Sequence, residues 1–337
     1  MKVDYYLPPG PPGAAAEQAV RAARIGFDGV FSAETTRDPF LPLVAAGMAA
    51  PRLDLGTAIA VAFARSPMTV AHTAWDLAEM SHGRFLLGLG TQVRGHVTRR
   101  FSMPWSSPGP RMREYLGALR AVWDAWRNGT PLRFEGEHYR FTLMTPFFTP
   151  APIPYDIPVF IAGVGEYMSR LAGEMCHGFH VHPFHTVPYL RRVVLPAMAA
   201  GAESAGRTLG DVERCCAVFV ATGRSDRELA AAMEAVRLQI AFYASTPAYR
   251  GVLETHGWDM GPRLSALSKR GDWGGLSALI PDEMVREVAV VAPVEGLAAA
   301  IRDRYDGVLQ RIGFYMPVPP ELDEEGWTGL VSEIHDG

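Results

Sequence analysis

The stretch "LLGLGTQVRGH", residues 86–96, ends an apolar run with Gly88 and Gly90 two apart. That spacing admits two readings, the phosphate-cradling first turn of a Rossmann fold or the rim of a barrel active site. A Rossmann fingerprint places a third glycine where this chain carries Val93, and it belongs to the first strand-to-helix turn of its domain. Three other strand patterns precede this one: "KVDYYL" (2–7), "GVFSAE" (29–34) and "RLDLGTAIAV" (52–61). The glycines therefore close a fourth strand, where a barrel binds its ligands and where a residue without Cβ lets a flat ring or a backbone come close.

Working outward, helical patterns separate the strands. Residues 14–25 form an Ala-rich helix with Ala16, Val20, Ala23 and Phe27 on one face, followed by helices over 39–50, 67–80 and 111–127. Pro39 and Pro67 sit where a first helical turn tolerates proline, and Gly83 closes a helix. Residues 131–157, rich in proline and aromatics, read as a small hairpin and a long ordered loop. Alternation resumes with strands at 159–163, 178–183 and 213–223 and helices over 166–175, 187–204 and 226–242. An irregular helical stretch (243–286), a helix over 294–305 and the strand "VLQRIGFYM" (308–316) end the pattern. Eight strands, each nearly continuous in apolar residues, predict an α/β fold: one (β/α)8 TIM barrel over residues 1–337, with insertions at about 101–157 and 243–286. A doubly wound sheet is the competing arrangement.

Composition narrows the functional classes. The chain has 337 residues, 48% hydrophobic and 20% charged, and 32 basic against 36 acidic side chains leave a formal charge of -4, which gives no bulk attraction to nucleic acid or to an anionic membrane. Cys176, Cys215 and Cys216 draw no disulfide framework and no CxxC metal spacing, which fits a reducing cytoplasm. The charged start "MKVDYYLPPG" lacks a secretory leader's apolar stretch, and no run approaches the roughly 18 apolar residues of a membrane span.

The segments "LGTAIAVAFARSPMTVAHTAWDLAEMSHGRFLLGLGTQVRGH" (55–96) and "IPVFIAGVGEYMSRLAGEMCHGFHVHPF" (157–184) resemble the luciferase-like superfamily of flavin and deazaflavin enzymes. The likeness is greater to its branch dependent on the deazaflavin coenzyme F420, which includes methylenetetrahydromethanopterin reductase and glucose-6-phosphate dehydrogenase. The order of motifs is similar from the first strand to residue 316. The resemblance implies a (β/α)8 barrel, hydride-transfer chemistry and a cofactor at the C-terminal mouth.

Residue by residue, it implies a non-prolyl cis peptide between Ala58 and Ile59 behind the cofactor ring, with Thr91 and Gln92 reaching polar ring atoms. Val93 and His96 stand where relatives often carry glutamate and asparagine, which makes His96 a candidate proton donor. Gly163, Val164 and Gly165 end a strand and open a helix, so their amides suit a phosphate, although Glu166 beside them would repel one. In "HVHPFH" alternation puts His180 and His182 on one face, without a third residue at metal-ligand spacing, so no metal is expected. His182 matches a phosphate contact of relatives, and His185 a position that carries a basic substrate ligand in some. Glu34 and Thr35 align with an acidic residue and the catalytic histidine of the dehydrogenase relatives; the histidine is absent, which leaves Glu34 and His96 as catalytic candidates, and Asp38 reads as a helix cap. Arg94, Arg99, Arg100, Arg111 and Arg113 cluster after the fourth strand as candidate anion ligands, Arg94 among the substrate candidates. Trp105, also a substrate candidate, and Tyr139, Phe147, Phe148 and Trp258 lie in the insertions as candidate lid aromatics.

The expected activity is hydride transfer between a reduced deazaflavin and a small organic substrate, by reduction of an activated C=C, C=N or carbonyl group. Alternatives are an FMN-dependent monooxygenase and a non-catalytic barrel that binds a cofactor or small ligand. A homodimer is a further expectation, drawn from relatives of this kind.

Overall fold

The computed structural model describes residues 1–315 and 322–336. Eight parallel strands close on themselves: β1 (Lys2–Tyr6), β2 (Gly29–Ser32), β3 (Asp54–Thr57), β4 (Phe85–Gly90), β5 (Val159–Ala162), β6 (Gly178–His180), β7 (Glu213–Val218) and β8 (Arg311–Phe314). A short extension, Ala60–Val61, continues β3 and pairs with β4. This is a (β/α)8 TIM barrel, and the doubly wound alternative falls because β1 pairs with β8 and β3 with β4. Met316, the last residue of the eighth strand pattern, lies outside the described residues.

Helices α1 (Ala14–Ile25), α2 (Leu41–Ala49), α3 (Pro67–Met80), α4 (Pro108–Asn128), α5 (Gly165–Met175), α6 (Leu195–Ser204), α7 (Asp226–Ala244), α8 (Leu297–Tyr305) and α9 (Glu324–His335) surround the strands. The first is turned by one position from the expected face: Ala15, Ala19, Ala22 and Ile25 are buried, while Val20 is 46% exposed. Alanine on nearly every side of "AAAEQAVRAARI" left the apolar stripe degenerate. The last helix has no counterpart in the sequence pattern. It buries Leu330, Val331 and Ile334, stacks Trp327 near Phe27 and Phe314, and ties His335 to Asp28 at 2.8 Å.

Glycines make the barrel's interior possible. A Cβ on Gly56 would lie 2.1 Å from the Phe31 ring, one on Gly178 would lie 2.0 Å from Phe160, and one on Gly313 would lie 2.3 Å from Tyr6. Small and large residues thus alternate across facing strands, and Phe31, Leu86, Phe160 and Cys215 form an inner cluster. Below it Arg311 grips Asp4 through two bonds of 2.7 Å and reaches Asp54 at 2.9 Å. No helix among the described residues is long and apolar enough to cross a membrane.

The insertions have little regular structure. Phe134–Glu135 and Arg140–Phe141 form the expected hairpin. Beyond α7, Arg250–Thr255, Gly261–Arg270, Trp273–Ser277 and Asp282–Val288 are short helices that end where Val290–Val291 pairs with Val220–Ala221.

Candidate functional site

Register gathers the mouth. Val61 lies opposite Gly90, Gly90 opposite Ala162, and Ala162 opposite His180, one row across four neighbouring strands. One to three residues beyond that row come Thr91 and Gln92, then Gly163, Val164 and Gly165, then His182. Sequence positions spread over more than a hundred residues thereby meet on one rim.

The opening glycines serve packing. A Cβ on Gly88 would lie 1.8 Å from the Thr57 carbonyl oxygen and 2.6 Å from His180 Nε2. In its absence, the Thr57 hydroxyl donates to the Gly88 carbonyl at 2.7 Å and accepts from the Gly88 amide at 2.9 Å. On Gly90 a Cβ would meet the Ile59 side chain at 2.6 Å, so this glycine seats Ile59. The Ala58–Ile59 peptide is cis, and the β2 end holds it: Ala58 N–H donates to Ser32 O at 2.8 Å, and Glu34 N–H to Ile59 O at 3.0 Å. Ala58 and Ile59 are half-buried at the mouth, a flat apolar ledge beside the polar Thr91 and Gln92. Gln92 takes a left-handed conformation, φ 58°, and its side-chain oxygen accepts from Val93 N–H at 2.9 Å.

Glu34 is 8% exposed and already engaged, accepting from Val61 N–H at 2.7 Å and from Arg65 Nη1 at 2.5 Å. Arg65 also pairs with Asp38 at 3.0 Å, and Asp38 caps α2 by accepting from Phe40 and Leu41 amides. Burial opposes the Arg65 charge, but its bonds to Glu34 and Asp38 outweigh this and raise its pKa. Glu34, a catalytic candidate from the sequence, thus also braces the Ala58–Ile59 ledge through its bonds to Val61 and Arg65. Arg65 was missed because nothing in "FARSP" marks it.

The helix α5 starts at the phosphate candidate. Val164 caps it without a side-chain bond, and Gly165, at φ 78°, has open space around its missing Cβ while its backbone bonds to Tyr189, so a helix start that suits an anion stands at the mouth. Glu166 is exposed on the first turn. Beside these amides lies a shallow recess, partly open to solvent, whose lining includes Gly163, Val164, His182, His185, Tyr189 and Tyr249. Burial, with the hydrogen-bonded Gly165 backbone opposing it, raises the Tyr189 pKa.

The histidines separate. His180 points into the barrel, its Nδ1 3.0 Å from Cys215 Sγ. His182 leaves the strand and packs between Tyr243 and Tyr249, at ring distances of 4.6 and 4.4 Å. The expectation that the two share a face is thus corrected, because the strand ends at His180 and the chain turns. Burial lowers the pKa of His180 to about 3, of His182 to about 3 and of His185 to about 4, so all three are neutral near pH 7. His185, expected at the substrate, is 2% exposed on the recess floor, its ring beside Tyr305; in this arrangement it is withdrawn from the open mouth.

His96 and Arg94 are exposed on the turn after β4, which Arg100 ties to the Thr35 carbonyl next to Glu34. Two of the five arginines are structural instead: Arg111 is 6% exposed over the Phe63 ring and bonded to Pro104 O and Tyr139, and Arg113 makes two bonds to Glu174. Trp105 packs half-buried in the loop before α4, Tyr139 and Trp258 anchor their loops against Tyr115 and His256, and Phe147 and Phe148 are 89% and 65% exposed. Tyr243, Tyr249 and Tyr315, which form an aromatic cluster with His182 at the mouth, were missed. The signal for Tyr243 and Tyr249 lay in "FYASTPAYR", at the head of the second insertion, while Tyr315 lies near the end of the eighth strand pattern.

The description "luciferase-like monooxygenase" belongs to the family that matches residues 2–311. An uncharacterized protein of Mycobacterium tuberculosis is 54% identical over 300 residues, 88% of each chain. A putative coenzyme F420-dependent oxidoreductase of the same organism is 29% identical over 308 residues, 85% of each. Among solved structures, a coenzyme F420-dependent tetrahydromethanopterin reductase from Methanopyrus kandleri superposes with TM-score 0.80 at 19% identity, covering 100% of this chain and 99% of that one. With a barrel of matching topology and a family match from β1 into β8, the chain belongs to the luciferase-like monooxygenase family.

Proposed function

We propose that this protein is an oxidoreductase that binds a deazaflavin across its barrel mouth and moves a hydride between that cofactor and a small organic substrate. The half-buried Ala58–Ile59 ledge, its Ile59 seated against Gly90 on the same barrel mouth as the start of α5, carries the reading. An apolar ledge near a helix start fits a tricyclic ring with a phosphate-bearing side chain. The F420-dependent description of a relative that aligns over 85% of this chain supports the same cofactor.

When bound in reduced form, a deazaflavin supplies a hydride to an acceptor. The protein's residues do the rest. Ile59 and Ala58 hold the ring from behind, Thr91 and Gln92 bond its polar edge, and the amides of residues 163–165 hold the phosphate, with His182 positioning Tyr249 beside them. Glu34 keeps the ledge in place through Val61 and Arg65. His96, exposed at the start of the segment that Arg100 ties to the Thr35 carbonyl, is the proton donor that accompanies hydride delivery, and Arg94 and Trp105 border the substrate. Because Thr35 replaces the histidine of the alcohol-oxidising relatives, reduction of an activated C=C, C=N or carbonyl is the favoured direction.

The test is anaerobic turnover of reduced deazaflavin against a panel of such acceptors. Return of the oxidised deazaflavin spectrum with at least one acceptor, slowed in His96→Ala, is the expected result. The family's description favours a second reading, an FMN-dependent monooxygenase. Oxygen consumption with reduced FMN, and no acceptor reduced by the deazaflavin, would establish that reading instead.

A further inference from the structure

The recess beside α5 is supplied with hydrogen-bond donors that carry no charge. His182 Nδ1 accepts from the Phe184 amide at 3.1 Å. Since burial keeps that ring neutral, its single N–H is at Nε2, which lies 3.0 Å from the Tyr249 hydroxyl oxygen. The imidazole therefore donates to Tyr249, and the hydroxyl hydrogen of Tyr249 is committed to nothing in that pair. The tilted stack of the two rings, 4.4 Å apart at 32°, with Tyr243 on the imidazole's other side, fixes where the hydroxyl stands. Tyr249 lines the same recess as Gly163 and Val164. On the floor His185 donates from Nδ1 to the His182 carbonyl at 2.8 Å, which leaves Nε2, in a residue 2% exposed, as an acceptor without a partner.

Among the described residues none that lines the recess is Lys or Arg, and both its histidines are neutral. Amides and hydroxyls can satisfy the oxygens of a singly charged phosphodiester. A phosphomonoester brings nearly two charges, with no cation in the lining to compensate the second and Glu166 on the adjoining first turn to oppose it.

We propose that Tyr249 is a specificity-determining residue of this site: its hydroxyl donates to a phosphodiester oxygen on the cofactor's side chain, and His182 is the positioning residue that aims it. The inference rests on the deazaflavin reading above and adds to it which kind of phosphate the recess accepts and which residue of the second insertion reads it.

The test compares two ligands by fluorescence titration, the complete deazaflavin coenzyme with its phosphodiester and the same ring ending in a bare ribityl chain. The wild-type protein binds the complete coenzyme more tightly. Tyr249→Phe weakens that binding on the order of ten- to a hundredfold, the range expected for losing a hydrogen bond to a charged group, and leaves the truncated ligand within twofold. His182→Phe, which keeps the ring stack, gives a smaller loss with the same dependence on the phosphodiester. FMN, a phosphomonoester, binds the wild type more weakly than the complete coenzyme. An unfolding midpoint for each variant confirms that the barrel is intact. Tyr249→Phe binding the complete coenzyme as the wild type does, or losing both ligands equally, overturns the assignment while leaving the deazaflavin reading in place. If the wild type binds neither deazaflavin, both fall.

Discussion

A Cβ at residue 88 would meet the Thr57 carbonyl, a backbone atom that has nowhere to go, whereas one at residue 90 would meet the movable end of Ile59. The two glycines should therefore fail differently. Gly88→Ala should cost about 3 kcal/mol or more in urea unfolding, at the upper end of overpacking penalties. Gly90→Ala should cost about 1–2 kcal/mol and, by displacing Ile59, weaken deazaflavin binding tenfold or more. Equal stability losses with unchanged binding would show that Ile59 does not seat the ring. At Arg65, substitution by Met leaves the Glu34 carboxylate, 5% exposed at its side chain, without its cation. A loss of about 2–4 kcal/mol is expected, and a loss within 0.5 kcal/mol would mean that the pair does not brace the ledge. Gly88 and Gly90 were legible because strand ends and glycines leave a local signature, whereas Ala58 and Ile59 stood out only through the family resemblance. The ion pair of Glu34 was not, since its partner lies 31 residues away and is fixed only by barrel closure.

Among the elements, α9 makes the clearest case. It packs on α1 and β1 across nearly the whole length of the chain, and its Ile334 is fully buried. Ile334→Ala should cost about 3 kcal/mol, within the range for a large-to-small core change, measured by urea unfolding. A loss below 1 kcal/mol would mean that α9 rests on the barrel without contributing to its core. The sequence pattern missed this helix because "EEGWTGLVSEIH" holds two glycines and only a narrow apolar stripe, so packing rather than propensity stabilises it. The opposite held for α3, where Pro67 in the first turn and a serine cap bound to Met68 N–H mark the start, and the predicted and observed bounds agree. The second insertion was legible as helical but not as the source of Tyr249, because only tertiary folding brings that residue against His182.

For the molecule as a whole, eight near-continuous apolar strands marked a parallel sheet buried on both faces, and the pairing of β1 with β8 decided for a closed barrel over a doubly wound sheet. What the pattern could not give is the electrostatics of enclosure. Three histidines that would titrate near pH 6.5 in an unfolded chain are held neutral by burial, with pKa values of about 3, 3 and 4 for His180, His182 and His185. Below pH 6.5 the unfolded chain binds more protons than the folded one, so stability present at pH 7 is lost as the pH falls from 6.5 toward 4. At pH 5 each histidine should contribute about 2 kcal/mol of that loss, and replacing His182 by Phe should flatten the pH dependence of the urea midpoint by one such share. An unchanged slope would mean that the ring is solvated in the folded state.

The central claim is that the barrel mouth is a deazaflavin site, and titration of the wild-type protein with oxidised deazaflavin coenzyme and, separately, with FMN tests it most directly. Saturable binding of the deazaflavin at micromolar concentration or below, with FMN at least tenfold weaker, is the predicted result. Tighter binding of FMN, or binding of neither, would contradict it.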